Sequence, residues 1–400
     1  MKISLIQPAR NNLKYLKWSY DSIRKNQGNH EVQICVADDA STDGTWEWCQ
    51  QKMAKDSNFA AIKNDTGKRL GHTILYDRLV DEVADHDICM IYHADMYLCP
   101  GALDSIEWHL KDNTIVSLTR IEPPLHPPGP EKILVGFGVE PEEFDEAKLL
   151  RFIEDSKVDR VNKTTEGIFA PWAFWKSDFQ NIGGHDPLYA PQSKEDSDIF
   201  NRFQLNGIKF IQTWDGCVYH MTCRGSRRNT LDKAKNIFED SPEWLEQNMR
   251  STRNFIRKWG HFVKHDKFMK PVIPPKYDIG FIIHNSNLNL LKELEPWCST
   301  VFVDNNKLQY ISLEQPFTLY NLKNKVLGLD QITASTMCGV MIEINGDSFS
   351  NEDFRYIQSL SEILENDDTL DIGSFRLGNL NITINNLQTY EKELILCKKQ

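Results

Sequence analysis

Long apolar runs are missing from this sequence. No segment approaches the roughly 18 consecutive apolar residues that a membrane-spanning helix needs. The opening MKISLIQPARNN has too short an apolar stretch for a secretory signal peptide and shows no small-residue cleavage site. We therefore expect the chain to stay in the cytoplasm.

An excess of positive charge is missing as well. The 400 residues contain 46 Lys and Arg against 57 Asp and Glu, a net charge of −11. Proteins that bind the nucleic-acid backbone neutralise phosphates with a basic surface, so we expect no nucleic-acid partner. The nine cysteines include no CxxC pair, and several sit inside apolar runs. We interpret most of them as small buried hydrophobic residues.

Strand-like and helix-like segments alternate along the chain. Short apolar runs with β-branched residues fall at 3–7, 32–39, 87–98 and 114–121, and helix-like stretches lie between most of them. Such alternation is typical of βαβ units and a mainly parallel sheet, whose ligands bind beyond the carboxyl ends of the strands.

Proline marks a boundary late in the chain. The segment MKPVIPPK at 269–276 has three prolines, and a new strand-like segment, YDIGFIIHNS, follows it. We therefore predict one domain over 1–268, a linker over 269–276 and a smaller α/β domain over 277–400. No motif assigns a role to the last of these, and a structural or dimer-forming domain is the simplest expectation.

Polar clusters follow the predicted strands of the first domain at 37–45, 93–97, 182–203 and 218–228. Carboxylates and imidazoles such as those of Asp95 and His93 can ligate a divalent cation. Glu195 and Asp196 begin a predicted helix and can supply a general base. Each cluster taken alone is also explained by helix caps, turns or solvated charge.

Taken together, the clusters resemble the family-two glycosyltransferases of the GT-A fold over about residues 1–230. The resemblance rests on ISLIQPARNN, VADDASTDGT, GKRLGHTILYDRL, IYHADMYLCPGAL, FAPWAFWKSDFQNIGGHD, KEDSDIFNRF and VYHMTCRGS. It implies a GT-A-type, Rossmann-like mixed sheet flanked by helices, with the smaller C-terminal α/β domain following it.

The resemblance also implies a site. Its donor-binding residues are Pro8, Ala9, Arg10, Asp38, Asp39, Arg69, Asp95, Trp172 and Arg224. The metal ligands are Asp95, His220 and His93, and the catalytic residues are Asp196 as the base and Glu195 beside it. His93 departs from the family pattern, which has Asp there, and imidazole suits Mn²⁺ better than Mg²⁺.

These roles predict a metal-dependent hexosyltransferase. It would use Mn²⁺ or Mg²⁺ and a nucleotide-sugar donor, with UDP-sugars favoured, and a glycan, lipid-linked or protein acceptor. One base and one direct displacement predict inversion at the sugar, and the glycine pair Gly183-Gly184 makes loop 185–195 a candidate lid.

Three alternative functions stay open from the sequence. One is a nucleotidyltransferase, although that class usually has a glycine-rich loop after the first strand and this chain has PARNN there, with no glycine. The layout of residues 167–186, with a later His and Arg, also resembles retaining N-acetylgalactosaminyltransferases. His93 favours a non-catalytic nucleotide-binding or sugar-binding module that descends from a transferase. The C-terminal domain is a possible surface for a homodimer.

Overall fold

The protein is described here by a computed structural model that covers residues 1–222, 240–366 and 370–396. Its described residues form two compact units. The first comprises 1–222, 240–247, 265–271 and 396, and the second comprises 248–264, 272–366 and 370–395. Residues 248–264 thus group with the second unit, although the sequence places them in the first domain.

The first unit contains ten strands among the described residues. They are β1 (Lys2–Ala9), β2 (Glu31–Asp38), β3 (Phe59–Lys63), β4 (Ile88–Ile91), β5 (Met96–Leu98), β6 (Thr114–Glu122), β7 (Lys132–Leu134), β8 (Thr164–Thr165), β9 (Trp172–Trp175) and β10 (Lys209–His220). Its helices are α1 (Leu13–Asn26), α2 (Thr45–Met53), α3 (His72–Glu82), α4 (Ala102–His109), α5 (Glu146–Asp155), α6 (Lys157–Arg160), α7 (Lys176–Asn181) and α8 (Glu195–Leu205).

These strands form one mixed sheet in the order β3-β2-β1-β4-β9-β6-β10-β5, with β7 beside β6 and β8 beside β10. Strands β1, β2, β3 and β4 run parallel, as do β6 and β10, whereas β9 and β5 are antiparallel to their neighbours. The carboxyl ends of β1, β2 and β4 therefore lie along one edge of the sheet.

The apolar runs of the sequence explain this sheet. Strand β1 is buried from Ile3 to Ala9, because helices cover it and parallel neighbours flank it on both sides. Helix α1 turns Leu16, Tyr20 and Ile23 inward at the spacing of a helical face, and all three join the same core.

The second unit is built around a six-stranded sheet. Its strands are β11 (Ile279–His284), β12 (Thr300–Val303), β13 (Val326–Gly328), β14 (Val340–Asn345), β15 (Gly373–Leu377) and β16 (Leu380–Ile384), and the sheet order is β13-β12-β11-β14-β16-β15. Its helices are α9 (Pro242–Trp259), which starts in the first unit, and α10 (Leu288–Leu294), α11 (Lys307–Glu314), α12 (Leu322–Lys325) and α13 (Asn351–Asn366).

Short 3₁₀ helices connect several of these elements. They cover Pro141–Glu143 and Pro187–Tyr189 in the first unit, and Glu295–Trp297, Gln315–Phe317, Leu329–Gln331 and Lys392–Leu394 in the second. Proline is the first or second residue in four of the six, where its fixed φ and missing N–H are tolerated.

The predicted fold class is confirmed. A mixed sheet flanked by helices is followed by a smaller α/β unit, as the alternating pattern predicts. The cysteines that the structure describes at 35, 49, 89, 99, 217, 298 and 338 are all free and buried. No helix among the described residues combines the length and the hydropathy that crossing a membrane requires.

Candidate active site

Strand ends bring the predicted site residues to one edge of the first sheet. Ala9 ends β1 and is in register with Asp38, which ends β2. His93 and Asp95 follow β4, and His220 ends β10 in register with Met96 of β5. Because β1, β2 and β4 are parallel, their carboxyl ends share this edge. The carboxyl end of β10 lies at the same edge, although β9 and β6 separate β10 from β4 in the sheet.

His93, Asp95 and His220 form a compact group. One ligand atom from each lies within 4.8 Å of those of the other two. His220 Nε2 is 3.3 Å from Asp95 Oδ1, and the two imidazole rings are 5.5 Å apart. Two imidazole nitrogens and a carboxylate oxygen are a donor set that suits a cation such as Mn²⁺.

Glu122 supports this group from behind, and sequence reasoning missed it. Its carboxylate Oε1 lies 2.7 Å from His220 Nδ1. A carboxylate on the second ring nitrogen is the usual arrangement behind a histidine that binds a metal. Arg120 and Lys132 approach Glu122 to 3.2 and 3.3 Å. In the sequence, the only indication of this role is that Glu122 stands at the end of a predicted strand, directly before a proline.

Burial and neighbouring charges shift the pKa values of the three residues of this group in different directions. Burial lowers the pKa of His220, but Asp95 and Glu122 outweigh it and raise that pKa to about 9. Burial raises the pKa of Asp95, yet His220 brings it down to about 2. Burial and the nearby His220 lower the pKa of His93 to about 3. The protein alone therefore holds an imidazolium, a carboxylate and a neutral imidazole here.

Asp39, a predicted donor-binding residue directly after β2, has hydrogen-bond partners within the protein. Asp39 accepts hydrogen bonds from the backbone N–H groups of Leu70 and Gly71, both at 2.9 Å, and from Asn64 Nδ2 at 2.7 Å. Its carboxylate thus holds the GKRLG loop, which follows Asn64. The backbone carbonyl of Asp39 accepts from Arg10 at 2.7 Å.

Asp38 is fully buried and accepts fewer hydrogen bonds than Asp39. Its Oδ1 accepts from the Ser41 backbone N–H at 3.1 Å, whereas Oδ2 has no hydrogen-bond partner among the described residues. Pro8 and Ala9 lie buried at the end of β1, and Arg10 beside them is exposed.

Arg69 is fixed against a second loop. Its guanidinium donates to Gln192 Oε1, and burial lowers the pKa of Arg69. Gly71 nearby has φ +81°, and a Cβ there would lie 2.0 Å from the Pro191 carbonyl oxygen. The GKRLG loop and the predicted lid, residues 185–195, are therefore in close contact, and only glycine fits between them.

Glu195 and Asp196 occupy the first turn of α8. Burial, followed by the neighbouring Asp196, raises the pKa of Glu195 to about 8. Burial also raises the pKa of Asp196. Behind them, Arg202 and Asp198 form a fully buried ion pair of 2.7 Å, which anchors the start of the helix.

Trp172, a predicted donor contact, and the nearby Trp175 lie in a strand and not in a loop. Both belong to strand β9, where Trp172 pairs with Ile91 and Trp175 with Ile88. Trp172 is fully buried against aromatic rings, with Phe174 at 4.6 Å and Phe200 at 5.4 Å. Because β9 is antiparallel to β4, Trp175 lies toward the opposite end of the sheet.

Trp172 is therefore a buried core residue in this structure, and its predicted contact with the donor stays a prediction. Its ring packs against the surrounding aromatic side chains. The spacing of the sequence motif alone does not predict this burial. The predicted donor residue Arg224 lies outside the described residues.

A protein-family match covers several of these site residues. Residues 4–132 match the Glycosyl transferase family 2 model. This confirms the predicted family-two resemblance for the N-terminal third of the chain. The matched range includes Asp38, Asp39, Arg69, His93 and Asp95. No curated protein sequence matches the chain.

Similar solved structures are remote in sequence. The mannosyltransferase PcManGT from Pyrobaculum calidifontis, in complex with GDP-Man and Mn²⁺, is 16% identical, with a TM-score of 0.40 over 64% of this chain and 69% of that one. GalNAc-T7 with UDP, GalNAc and Mn²⁺ is 12% identical, with a TM-score of 0.42 over 65% of this chain and 51% of that one. TarS from S. aureus is 14% identical, with a TM-score of 0.40 over 64% of this chain and 44% of that one. This chain thus spans about half the length or less of the last two.

Proposed function

We propose that this chain transfers a sugar from a nucleotide-sugar donor to an acceptor hydroxyl, with inversion at the sugar. The observation that carries the proposal is the group of His93, Asp95 and His220 at the carboxyl edge of the sheet. The match of residues 4–132 to the family-two model supports it.

The metal-binding part of the proposal rests on the donor set. His93, Asp95 and His220 would hold a divalent cation, with Mn²⁺ favoured over Mg²⁺ because two of the three ligands are imidazoles. Glu122 would keep His220 in the orientation that directs Nε2 toward the ion. The chemistry that such an ion supplies is neutralisation of the charge on the leaving diphosphate.

Tyr76 links the metal-binding group to the proposed base. Burial raises its pKa well above the ordinary value, and the carboxylates of Asp196, Glu195 and Asp95 raise it further. The ring of Tyr76 therefore lies within electrostatic range of both groups.

Asp196 is the proposed base. It would take the proton of the acceptor hydroxyl as that oxygen bonds to the anomeric carbon and the bond from that carbon to the diphosphate breaks. Burial raises the pKa of Asp196, which makes its carboxylate a stronger base than an exposed one. Arg69 would stabilise the diphosphate from the GKRLG loop.

The test is a thermal-shift panel. UDP-glucose, UDP-N-acetylglucosamine, GDP-mannose and dTDP-glucose are each added with Mn²⁺, Mg²⁺ or EDTA. A ligand that binds only the folded state raises the melting temperature. We expect a shift for one nucleotide class that needs Mn²⁺ and disappears with EDTA.

Two variants sharpen this test. Asp95→Asn should remove the Mn²⁺-dependent shift because it takes away the anionic ligand. The matched control is Asp81→Asn, an identical change at an exposed position of α3. The absence of a shift with every nucleotide and metal in the wild-type protein would overturn the proposed function.

A further inference from the structure

A groove lies at the edge of the first sheet that is opposite the candidate active site. Strand β10 runs from Lys209 to His220, so its amino end borders the groove and its carboxyl end belongs to the metal-binding group. At about 3.3 Å a residue, a strand of this length separates the two places by roughly 30 Å. A ligand in the groove would therefore occupy a site of its own.

This groove, which we call the Trp108 groove, has a volume of about 700 Å³. Binding sites for small ligands usually have volumes of about 300–1,000 Å³. Helices α4 and α8 and strands β8 and β10 contribute to it, so regular structure and not a single loop forms the groove. Its lining belongs to the first unit and includes Trp108, His109, Thr164, Glu166, Gln204 and Lys270.

Trp108 is exposed at this groove. The structure describes all ten tryptophans, and nine of them are buried or half-buried, whereas 74% of the surface of Trp108 is exposed. An indole ring is usually placed in a core or an interface, because its large apolar area is stabilising only when it is removed from water. The other apolar residues of α4, Ala102, Leu103 and Ile106, belong to the core. The ring of Trp108 lies outside that core and is available to a ligand.

The groove carries little net charge. Lys270 Nζ forms an ion pair of 2.7 Å with Glu166 Oε2, so these two charges largely cancel. Burial lowers the pKa of His109 below its ordinary value, which leaves the ring neutral at pH 7. Lys209 is the one further charged residue among the described residues of the lining. A phosphate, a nucleic acid or an acidic peptide would need more positive charge than this.

Neutral hydrogen-bonding groups make up much of the polar lining. Asn162 and Thr164 line the groove and are exposed. Gln204 lines it from α8, and its Oε1 is buried without a hydrogen-bond partner among the described residues. A buried acceptor without a partner is unfavourable, and a ligand hydroxyl that reaches this amide would satisfy it. The groove thus offers amides and a hydroxyl around an aromatic ring.

We propose that the Trp108 groove binds an uncharged carbohydrate chain. A pyranose ring has an apolar face of C–H groups and a rim of hydroxyls that both donate and accept hydrogen bonds. The indole of Trp108 matches the apolar face, because it offers a large, flat and rigid apolar surface. The amides of Asn162 and Gln204 and the hydroxyl of Thr164 match the rim. This binding goes beyond the proposed transfer reaction and does not depend on it.

The test is isothermal titration calorimetry of the full chain with maltohexaose, chitohexaose, xylohexaose and mannohexaose. A heparin hexasaccharide serves as the strongly anionic comparison. EDTA is present throughout, so that a metal-dependent donor site does not contribute to the signal. We expect at least one neutral hexasaccharide to bind, and the heparin hexasaccharide to bind more weakly than that one.

Substitutions in the groove locate the binding. Trp108→Ala should weaken it about 10- to 30-fold, since tryptophans are among the residues that dominate binding energy. Trp108→Phe keeps an aromatic surface and should bind within about threefold of the wild type. Gln204→Ala should weaken binding about 3- to 10-fold, the usual effect of one lost hydrogen bond. The matched control is Leu308→Ala, which removes a similarly exposed apolar side chain in the second unit and should leave binding unchanged.

The outcomes are distinct. Failure of every neutral hexasaccharide to bind, or equal or tighter binding of the heparin hexasaccharide, overturns the inference. Binding that Trp108→Ala leaves unchanged also overturns it, because the sugar then lies elsewhere on the protein. Asp95→Asn should bind the hexasaccharide as the wild type does, although it loses the Mn²⁺-dependent shift with nucleotide sugars. If the wild type shows no shift with any nucleotide sugar, the proposed function fails, and the titration still decides the role of the groove.

Discussion

At the scale of single residues, Glu195 and Asp196 differ in how they hold a proton. Glu195 is buried, its Oε2 has no hydrogen-bond partner among the described residues, and its pKa is raised to about 8. A carboxyl with that pKa is mostly protonated at pH 7. Asp196 then has no charged neighbour in Glu195, which is consistent with its proposed role as the base.

This difference predicts unequal effects of two amide substitutions. Glu195→Gln should keep kcat within about threefold, because an amide resembles a protonated carboxyl. Asp196→Asn should lower kcat by about 10²–10⁴-fold, the usual contribution of a general base. Donor hydrolysis gives kcat, and the thermal shift checks that both variants still bind the donor. Equal losses in the two variants would contradict the assignment of the base.

The same pair predicts a pH effect of known sign. As pH rises through about 8, Glu195 loses its proton and places a second negative charge beside Asp196. That charge raises the pKa of Asp196 and makes it a stronger base, so the hydrolysis rate of the wild-type protein should rise between pH 7 and 9. Glu195→Gln cannot ionise, so its profile should stay flat over that interval. A step of equal size in both proteins would assign the ionisation to another group.

At the scale of elements, the GKRLG loop and loop 185–195 are held together. The Asp39 carboxylate binds the backbone of the GKRLG loop, and Arg69 of that loop donates to Gln192. Thr73 donates to the Tyr189 carbonyl at 3.4 Å. The residues that the sequence marks as a lid are thus packed in place, and a lid motion stays a prediction.

Gly71→Ala should disturb this packing. Gly71 has φ +81° and ψ 174°, a backbone region that is almost restricted to glycine, and occupying it costs other residues about 1–3 kcal/mol. The added Cβ also meets Pro191. We expect a lower melting temperature and a smaller donor-induced shift.

The control for this prediction is Gly67→Ala. Gly67 also has a positive φ, of +70°, but a Cβ there meets nothing within 4 Å. Its substitution should affect stability less and leave the donor-induced shift intact. If both variants bind the donor as the wild type does, contact between the two loops is unimportant for binding.

The elements that the sequence revealed are those with a strong local signal. The apolar runs before Ala9 and Asp38 and the polar residues after them predict the strand ends that form the site. Glu122 was missed and the burial of Trp172 was not foreseen, for the opposite reason. Their roles depend on strand pairing between distant segments, which places one behind His220 and the other in an aromatic core.

At the scale of the whole molecule, the second unit depends on a buried charge network. Arg257 donates to Glu295 at 2.5 Å and to Glu314 at 2.8 Å. Lys325 and Tyr310 also contact Glu295, at 2.7 and 2.8 Å. Burial raises the pKa of Glu295, but Lys325 and Arg257 outweigh it and bring that pKa down to about 2.

This network predicts loss of stability in acid. A carboxyl whose folded pKa lies below its unfolded value contributes fully above the unfolded pKa, near 4.5, and loses the contribution as pH falls toward 2. Urea unfolding of the second unit, followed between pH 6 and 2.5, should show this decline. Glu295→Gln should lower the free energy of unfolding at pH 7 by about 3–5 kcal/mol, since it leaves Arg257 and Lys325 without their shared anion.

The variant also tests the source of the pH dependence. Without a titratable group at position 295, the decline between pH 4.5 and 2.5 should be shallower than in the wild type. An identical decline in both proteins would place the acid sensitivity elsewhere.

The antiparallel pairing of β5 with β10 has a consequence for synthesis of the protein on the ribosome. Asp95 precedes β5, and the register that brings it to His220 exists only when β10 has been added beside β6. A nascent chain that ends before β10 has the strand ends of β1, β2 and β4 but lacks one of the three candidate metal ligands. If the proposed function holds, chains that stop short of His220, by premature termination or by cleavage, would therefore lack the complete metal-binding group.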